Sequence, residues 1–212
     1  MIREVAPTRR EVEAKINGVG DYVKMDYLQS TLKKNIDFDT RKFVMMTLAG
    51  IYEQRGMFND AAKLVNGSAE INTTFQGKVQ DYSRAMELFI KAGSYDESDV
   101  AFSKALACCN TAQKNSLRMK RKVMFFEQAK FYITKDKRTN AMKTYEKIIA
   151  LDLTPQEREA AQATLTDLYE RLGKIREFYA MKRGQGLNNV QPNPRELQEK
   201  EETRFDIDDL LR

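Results

Sequence analysis

Between Val44 and Ile71, apolar and small residues fall at helical spacing twice, once on each side of a glycine. Leu48, Ala49 and Tyr52 belong to the first run; Phe58, Ala61, Val65 and Ser68 belong to the second, with Gly56 between them. Apolar positions recurring every three or four residues mark an amphipathic helix, and a glycine after the last of them marks its end. The stretch therefore predicts a helical hairpin. Small side chains at Ala49, Ala61 and Ser68 let two antiparallel helices approach closely, and Leu48, Tyr52, Phe58 and Val65 fill the space beside them.

The same pattern recurs along the chain. Thr8 is placed to cap a first helix, with Glu11 three residues on as in a capping box and Val12 and Ile16 on one face. Gly18 and Gly20 end that helix, and Asp21 opens a second with Tyr22, Met25, Leu28 and Leu32 along one side. Aligning Gly20 with Gly56 gives an offset of 36 residues. Around Gly93, Ala85, Met86 and Phe89 precede the turn and Tyr95, Ser98, Phe102 and Ala105 follow it. Ala129 and Tyr132 then precede a polar turn, Asp136 to Arg138, with Ala141, Tyr145 and Ile148 beyond it. Ala141 lies 43 residues after Ser98, which predicts either extended helices or a longer connection between Asn110 and Leu117. Thr154-Pro155, with Glu157, starts a fifth unit containing Leu165, Tyr169 and Gly173, followed by a short helix from Ile175 to Arg183 that carries Phe178 where a small residue is expected.

Leu-Ala-x-x-Tyr, then Gly, then an aromatic residue and a small one, resembles the tetratricopeptide repeat. The resemblance covers residues 8 to 183 and departs from the family in lacking Trp, in lacking Gly near Asp136 and in its irregular period. It implies an all-α protein, an α-solenoid of about five tetratricopeptide-like hairpins, because units that cannot bury their own apolar face must stack on neighbours. On this reading, residues 1–183 form the repeat domain, and residues 184–212 form a linker and an acidic, hydrophobic, flexible tail. The family register also implies a concave groove lined by first helices, with Glu53, Arg84, Glu87, Lys91, Phe126 and Lys130 as candidate partner-binding residues. The Lys, Asn and Arg set with which some members hold a terminal carboxylate is not reproduced here.

Composition narrows the function classes. Only 10 Gly and 4 Pro occur among 212 residues, which favours helices over strands and turns. No apolar run is long enough to cross a bilayer, and the N-terminus carries charges where a signal peptide needs an apolar segment, so a cytoplasmic protein without membrane insertion is expected. Cys108 and Cys109, adjacent in a predicted helix, are expected to stay reduced, since their side chains would point about 100° apart. Histidine is absent, which removes the commonest general base and zinc ligand. With no phosphate-binding loop, metal cluster or activated nucleophile in the sequence, catalysis, cofactors and metals are not expected.

Charge suggests two further contacts. The net charge of +5 comes from 36 basic and 31 acidic residues, a mild excess that does not by itself indicate nucleic acid. On the predicted helix from Lys114 to Lys137, Lys114, Arg118, Arg121 and Lys122 share a basic side that could meet an acidic partner, nucleic acid or the chain's own acidic tail. The tail ends in FDIDDLLR, where Phe205, Ile207, Leu210 and Leu211 alternate with Asp206, Asp208 and Asp209 as in peptides that dock on other proteins, or that pack back as a cap on a repeat array. This ending is similar to that of the soluble NSF attachment proteins, helical adaptors whose acidic C-terminus engages a AAA ATPase; Asp208, Asp209, Leu211 and Arg212 carry the similarity. The expectation is a non-catalytic adaptor for peptide or helical segments of other proteins, possible partners including a AAA ATPase or larger assembly. A nucleic-acid- or ribosome-associated factor acting through the basic helix is the alternative.

Overall fold

The structure, a computed structural model, describes residues 6–184. Among the described residues there are ten α-helices and no strand: α1 (Arg9–Ile16), α2 (Asp21–Leu32), α3 (Phe38–Gln54), α4 (Phe58–Ile71), α5 (Phe75–Ala92), α6 (Tyr95–Cys108), α7 (Thr111–Thr134), α8 (Arg138–Ile149), α9 (Pro155–Arg171) and α10 (Ile175–Gly184). None of these helices is long and apolar enough to cross a membrane.

Four helix pairs are built from the same local chemistry. Each first helix opens on a side-chain cap that accepts the backbone N–H three residues on: Asp37 from Thr40 at 2.9 Å, Thr74 from Gly77 at 3.1 Å, Asn110 from Gln113 at 2.9 Å and Thr154 from Glu157 at 3.3 Å. At Thr154 the reciprocal half of the box is also made, Glu157 Oε2 accepting from the Thr154 N–H at 2.9 Å. Each first helix closes on a left-handed residue, Gly56, Gly93, Asp136 or Gly173. The next N–H then donates back to the carbonyl of an aromatic residue, Tyr52, Phe89, Tyr132 or Tyr169, at 2.8 to 2.9 Å. This is the six-to-one bond of the Schellman turn, which satisfies carbonyls that a helix end would otherwise leave unpaired. Asp136, at φ 51, takes the place where the other three turns have glycine, a conformation that Asp tolerates better than most side chains.

The irregular period has a simple origin. Cap and aromatic residue are 15 apart in three pairs, 37 to 52, 74 to 89 and 154 to 169, but 22 apart from 110 to 132. The seven extra residues lengthen α7 and leave the connection short. Seven residues at about 100° each fall only about 20° short of two full turns, so the same face returns to the same side.

The first pair departs from this scheme. The left-handed residue is Gly18, with φ 73, and not Gly20, and the pair lacks the aromatic turn. Tyr22, expected on the buried side, is 74% exposed and stacks under Arg55, whose guanidinium carbon lies 4.0 Å from its ring centre. Val12 and Leu28 are fully buried.

The chain divides into two compact units, Met1–Met124 and Phe125–Arg212, and α7 runs through the boundary. In the first unit consecutive helices pack in sequence, α3 on α4, α4 on α5 and α5 on α6. Its core includes Val44, Leu48, Ala61, Val65, Met86 and Leu88, all fully or almost fully buried. In the second unit α8 packs on α9 and α9 on α10 around Tyr132, Ala141, Met142, Leu165, Leu168 and Tyr169. Burial, then the Glu146 carboxylate that accepts from its hydroxyl at 3.0 Å, pushes the Tyr169 phenol up to about 12, so this hydroxyl stays a donor.

At the first inward position of the second helix, Ala61, Ser98 and Ala141 are all fully buried. Among the described residues the Ser98 hydroxyl has no hydrogen-bond partner. Removing a buried unsatisfied hydroxyl while improving helix propensity is expected to make Ser98→Ala more stable by about 1 kcal/mol, measured as a higher denaturant midpoint.

Candidate partner-binding surface

The first unit sets its first helices side by side. Glu53 on α3 meets Arg84 on α5, Oε2 to Nη2 at 3.0 Å, and its other oxygen lies 3.7 Å from Lys91 Nζ. One helix further on, Glu87 on α5 pairs with Lys120 on α7, and the Lys120 ammonium also donates to the Ser83 hydroxyl at 3.1 Å. The second helices form another layer, in which Lys104 on α6 reaches Glu70 on α4 at 2.7 Å. The Ser94 hydroxyl, at the turn before α6, donates to Asn59 of α4 at 3.2 Å.

Four of the expected groove residues, Glu53, Arg84, Glu87 and Lys91, are therefore brought together, but with their charges already paired. Such partly exposed pairs contribute little to stability, about 0 to 1 kcal/mol each, and can exchange for a ligand's charges at little cost. Phe126 and Lys130 belong to the second unit, where Phe126 is half-buried and Lys130 exposed. Beside Lys120, in the same two turns of α7, Met119 and Val123 are 57% and 45% exposed. The sequence pattern passes over Met119 and Lys120, since their spacing marks no turn, cap or core position.

The expected basic face is not a uniform cationic strip. Arg121 is half-buried: its guanidinium pairs with Asp99 of α6 and lies 4.4 Å from the centre of the Phe102 ring. Arg118 is exposed and donates to Asn115 at 3.2 Å. Lys114 and Lys122 are half-buried. Lys114 follows the cap of its helix by four residues, as do Arg41, Lys78 and Arg158. In two of those units this position joins successive pairs: Arg41 donates to the carbonyls of Leu32 and Lys34 at 3.4 and 3.2 Å, and Arg158 to those of Ile149 and Leu151 at 3.0 and 3.4 Å. A guanidinium fork thus binds carbonyls at the end of the preceding helix, where the helix dipole is negative. The repeated basic residue was visible in the sequence, but only the alignment of caps reveals it.

Cys108 ends α6, and Cys109 is its C-cap in extended conformation, so the two are not consecutive residues of one helix as the pattern predicted. Both thiols are free and half-buried. Burial pushes the Cys109 thiol up, assisted by Cys108 and opposed by Lys114, which keeps it protonated and weakly nucleophilic.

A cleft of about 590 Å³ lies between the starts of α1 and α3, lined by Thr8, Arg9, Arg10, Glu13, Asp37, Asp39 and Thr40. Its polar groups serve the two helix ends. Glu11 accepts from the Thr8 N–H at 2.7 Å, Asp37 caps α3, and Arg9 bridges Glu13 and Asp39 at 2.9 and 3.4 Å. Among the described residues no group of three or more His, Cys, Asp or Glu side chains could hold a metal ion. The docking segment with Phe205, Ile207, Asp208, Asp209, Leu210 and Leu211 lies outside the described residues. No protein-family model matches the chain, and no curated protein matches it.

Proposed function

We propose that this protein is a non-catalytic adaptor of the cytoplasm, a tetratricopeptide-like array that grips a helix or an extended peptide of another protein on its first-helix layer. The single observation that supports this most is the contact of successive first helices in the first unit, α3 to α5 through Glu53 and Arg84 and α5 to α7 through Glu87 and Lys120. A face made of three neighbouring helices offers one ligand several side chains at once, and the exposed Met119 and Val123 add apolar contact beside paired charges. The terminal FDIDDLLR supplies a second contact; its similarity to the soluble NSF attachment proteins supports a AAA ATPase or a larger assembly as the partner on that side.

The test begins with affinity capture on the full chain, followed by titration of the captured protein against a Met119→Asp/Val123→Asp variant. Binding is expected to weaken at least about tenfold with an unchanged melting temperature. Unchanged affinity would overturn the assignment of this face. Salt separates the two classes of partner, since apolar docking responds little to ionic strength and nucleic-acid binding falls steeply with it.

A further inference from the structure

Of the expected basic face only Arg118 is exposed, since Lys114, Arg121 and Lys122 are half-buried. The tip of the α7–α8 hairpin holds a denser set. Lys130, Lys135, Lys137, Arg138 and Lys143 are all exposed there. Between positions 130 and 143 the one acidic residue is Asp136, and its carboxylate already accepts from Arg138 Nε at 2.8 Å. Among the described residues Lys130, Lys135, Lys137 and Lys143 make no ion pair.

Apolar surface lies among these cations. Phe131 and Ile133 are 47% and 44% exposed, and each stands one helical turn before a lysine, Lys135 and Lys137. The Phe131 ring meets the ring of the buried Tyr132 at a tilt of 56°, centroids 5.8 Å apart, which steadies it while much of it stays open. Helix stability does not account for the charges. The positive end of a helix dipole favours acidic side chains, and α6 has Asp96 and Glu97 in its first turn; α8 has no acid there and opens on Arg138.

We propose that the α7–α8 tip binds single-stranded nucleic acid, its cations taking backbone phosphates and the Phe131 ring stacking under a base. The cation excess alone fits any polyanion. An open aromatic ring set among the cations selects a ligand that carries flat bases beside its phosphates. This site shares no residue with the face at Met119 and Val123, and it stands whether or not that face grips a peptide.

The test is fluorescence anisotropy of a labelled single-stranded oligouridylate titrated with the full chain at stepped salt concentrations. Affinity is expected to fall steeply with salt. Lys135→Ala/Lys137→Ala should reduce the slope of log affinity against log salt by about 1.4, two phosphate contacts at about 0.7 each. Phe131→Ala is expected to weaken binding at least about fivefold with the slope unchanged, whereas Phe131→Tyr, which keeps the ring, should bind as wild type does. The substituted side chains are exposed, and equal melting temperatures check that the variants fold. Absence of binding at low salt overturns the proposal, as does wild-type affinity in Phe131→Ala or in the lysine pair. Displacement of the probe by polyglutamate as readily as by unlabelled oligouridylate overturns it too, and makes an acidic protein the occupant.

Discussion

Replacing Gly77 by alanine is expected to destabilise the first unit by about 2 to 3 kcal/mol, although glycine to alanine in a helix ordinarily stabilises by about 0.5 to 1 kcal/mol. The sign inverts because of what lies beside this first turn of α5. A methyl carbon on Gly77 would come 2.7 Å from Asn72 Cγ, far inside contact distance. Asn72 cannot simply swing away. It is buried, donates through Nδ2 to Asp81 at 3.0 Å, and accepts from the Thr74 N–H and hydroxyl at 3.3 and 3.4 Å. Asp81 in turn accepts from the Ser68 hydroxyl at 3.2 Å and lies 3.7 Å from Lys42 Nζ, so one carboxylate joins α3, α4 and α5. Displacing Asn72 strips a hydrogen bond from a buried charge, which is where such losses are most costly. Guanidinium denaturation of Gly77→Ala, Asn72→Ala and the double variant checks the cause: once Asn72 is shortened, the added methyl should cost little further. A Gly77→Ala protein as stable as the wild type would sink the account.

That cluster also shows what could be read from sequence and what could not. Hairpins were legible because their turns are local: a helical run, a left-handed residue and a small residue five positions on lie within a dozen positions, and Gly56, Gly93 and Gly173 sit where the pattern put them. Thr154-Pro155 with Glu157 was equally local. Where two glycines stand close together, spacing alone favours Gly20 over Gly18 and puts Tyr22 on the buried side, whereas the left-handed residue is Gly18 and Tyr22 is exposed. The length of α7 stayed open because two extra helical turns leave no mark of their own; only cap and turn together, at Asn110 and Asp136, place them. The candidate surface was the least legible. A family register points to its residues, but the pairing of Glu53 with Arg84 and of Glu87 with Lys120 joins residues more than 30 positions apart, for which helical periodicity carries no signal. Asp81 shares the helical spacing of core residues, and nothing in its neighbours announces Ser68 and Asn72 as its partners.

Enlarging Ala141 to leucine is expected to cost about 2 to 3 kcal/mol, a large fraction of the stability of an ordinary domain. Ala141 is fully buried within the cluster that also holds Tyr132 of α7 and Leu165 and Tyr169 of α9, and its N–H donates to the Lys137 carbonyl at 2.9 Å in the first turn of α8. The Schellman turn at Asp136 fixes how α8 leaves α7, so the helices cannot separate to admit three more carbons without breaking the bond from Lys137 N–H to the Tyr132 carbonyl. Ala61 has the same turn, the same burial and the same expected penalty in the first unit. The fourth pair supplies the contrast. It keeps the turn but places Phe178 at the equivalent position, half-buried at the edge of the cluster, where α10 leaves room for a large side chain. Phe178→Leu should therefore cost less than about 1 kcal/mol. Denaturation midpoints of the three variants separate a repeated close approach from a coincidence of small residues: equal tolerance of leucine at 61, 141 and 178 would mean that the turn does not set the helix spacing.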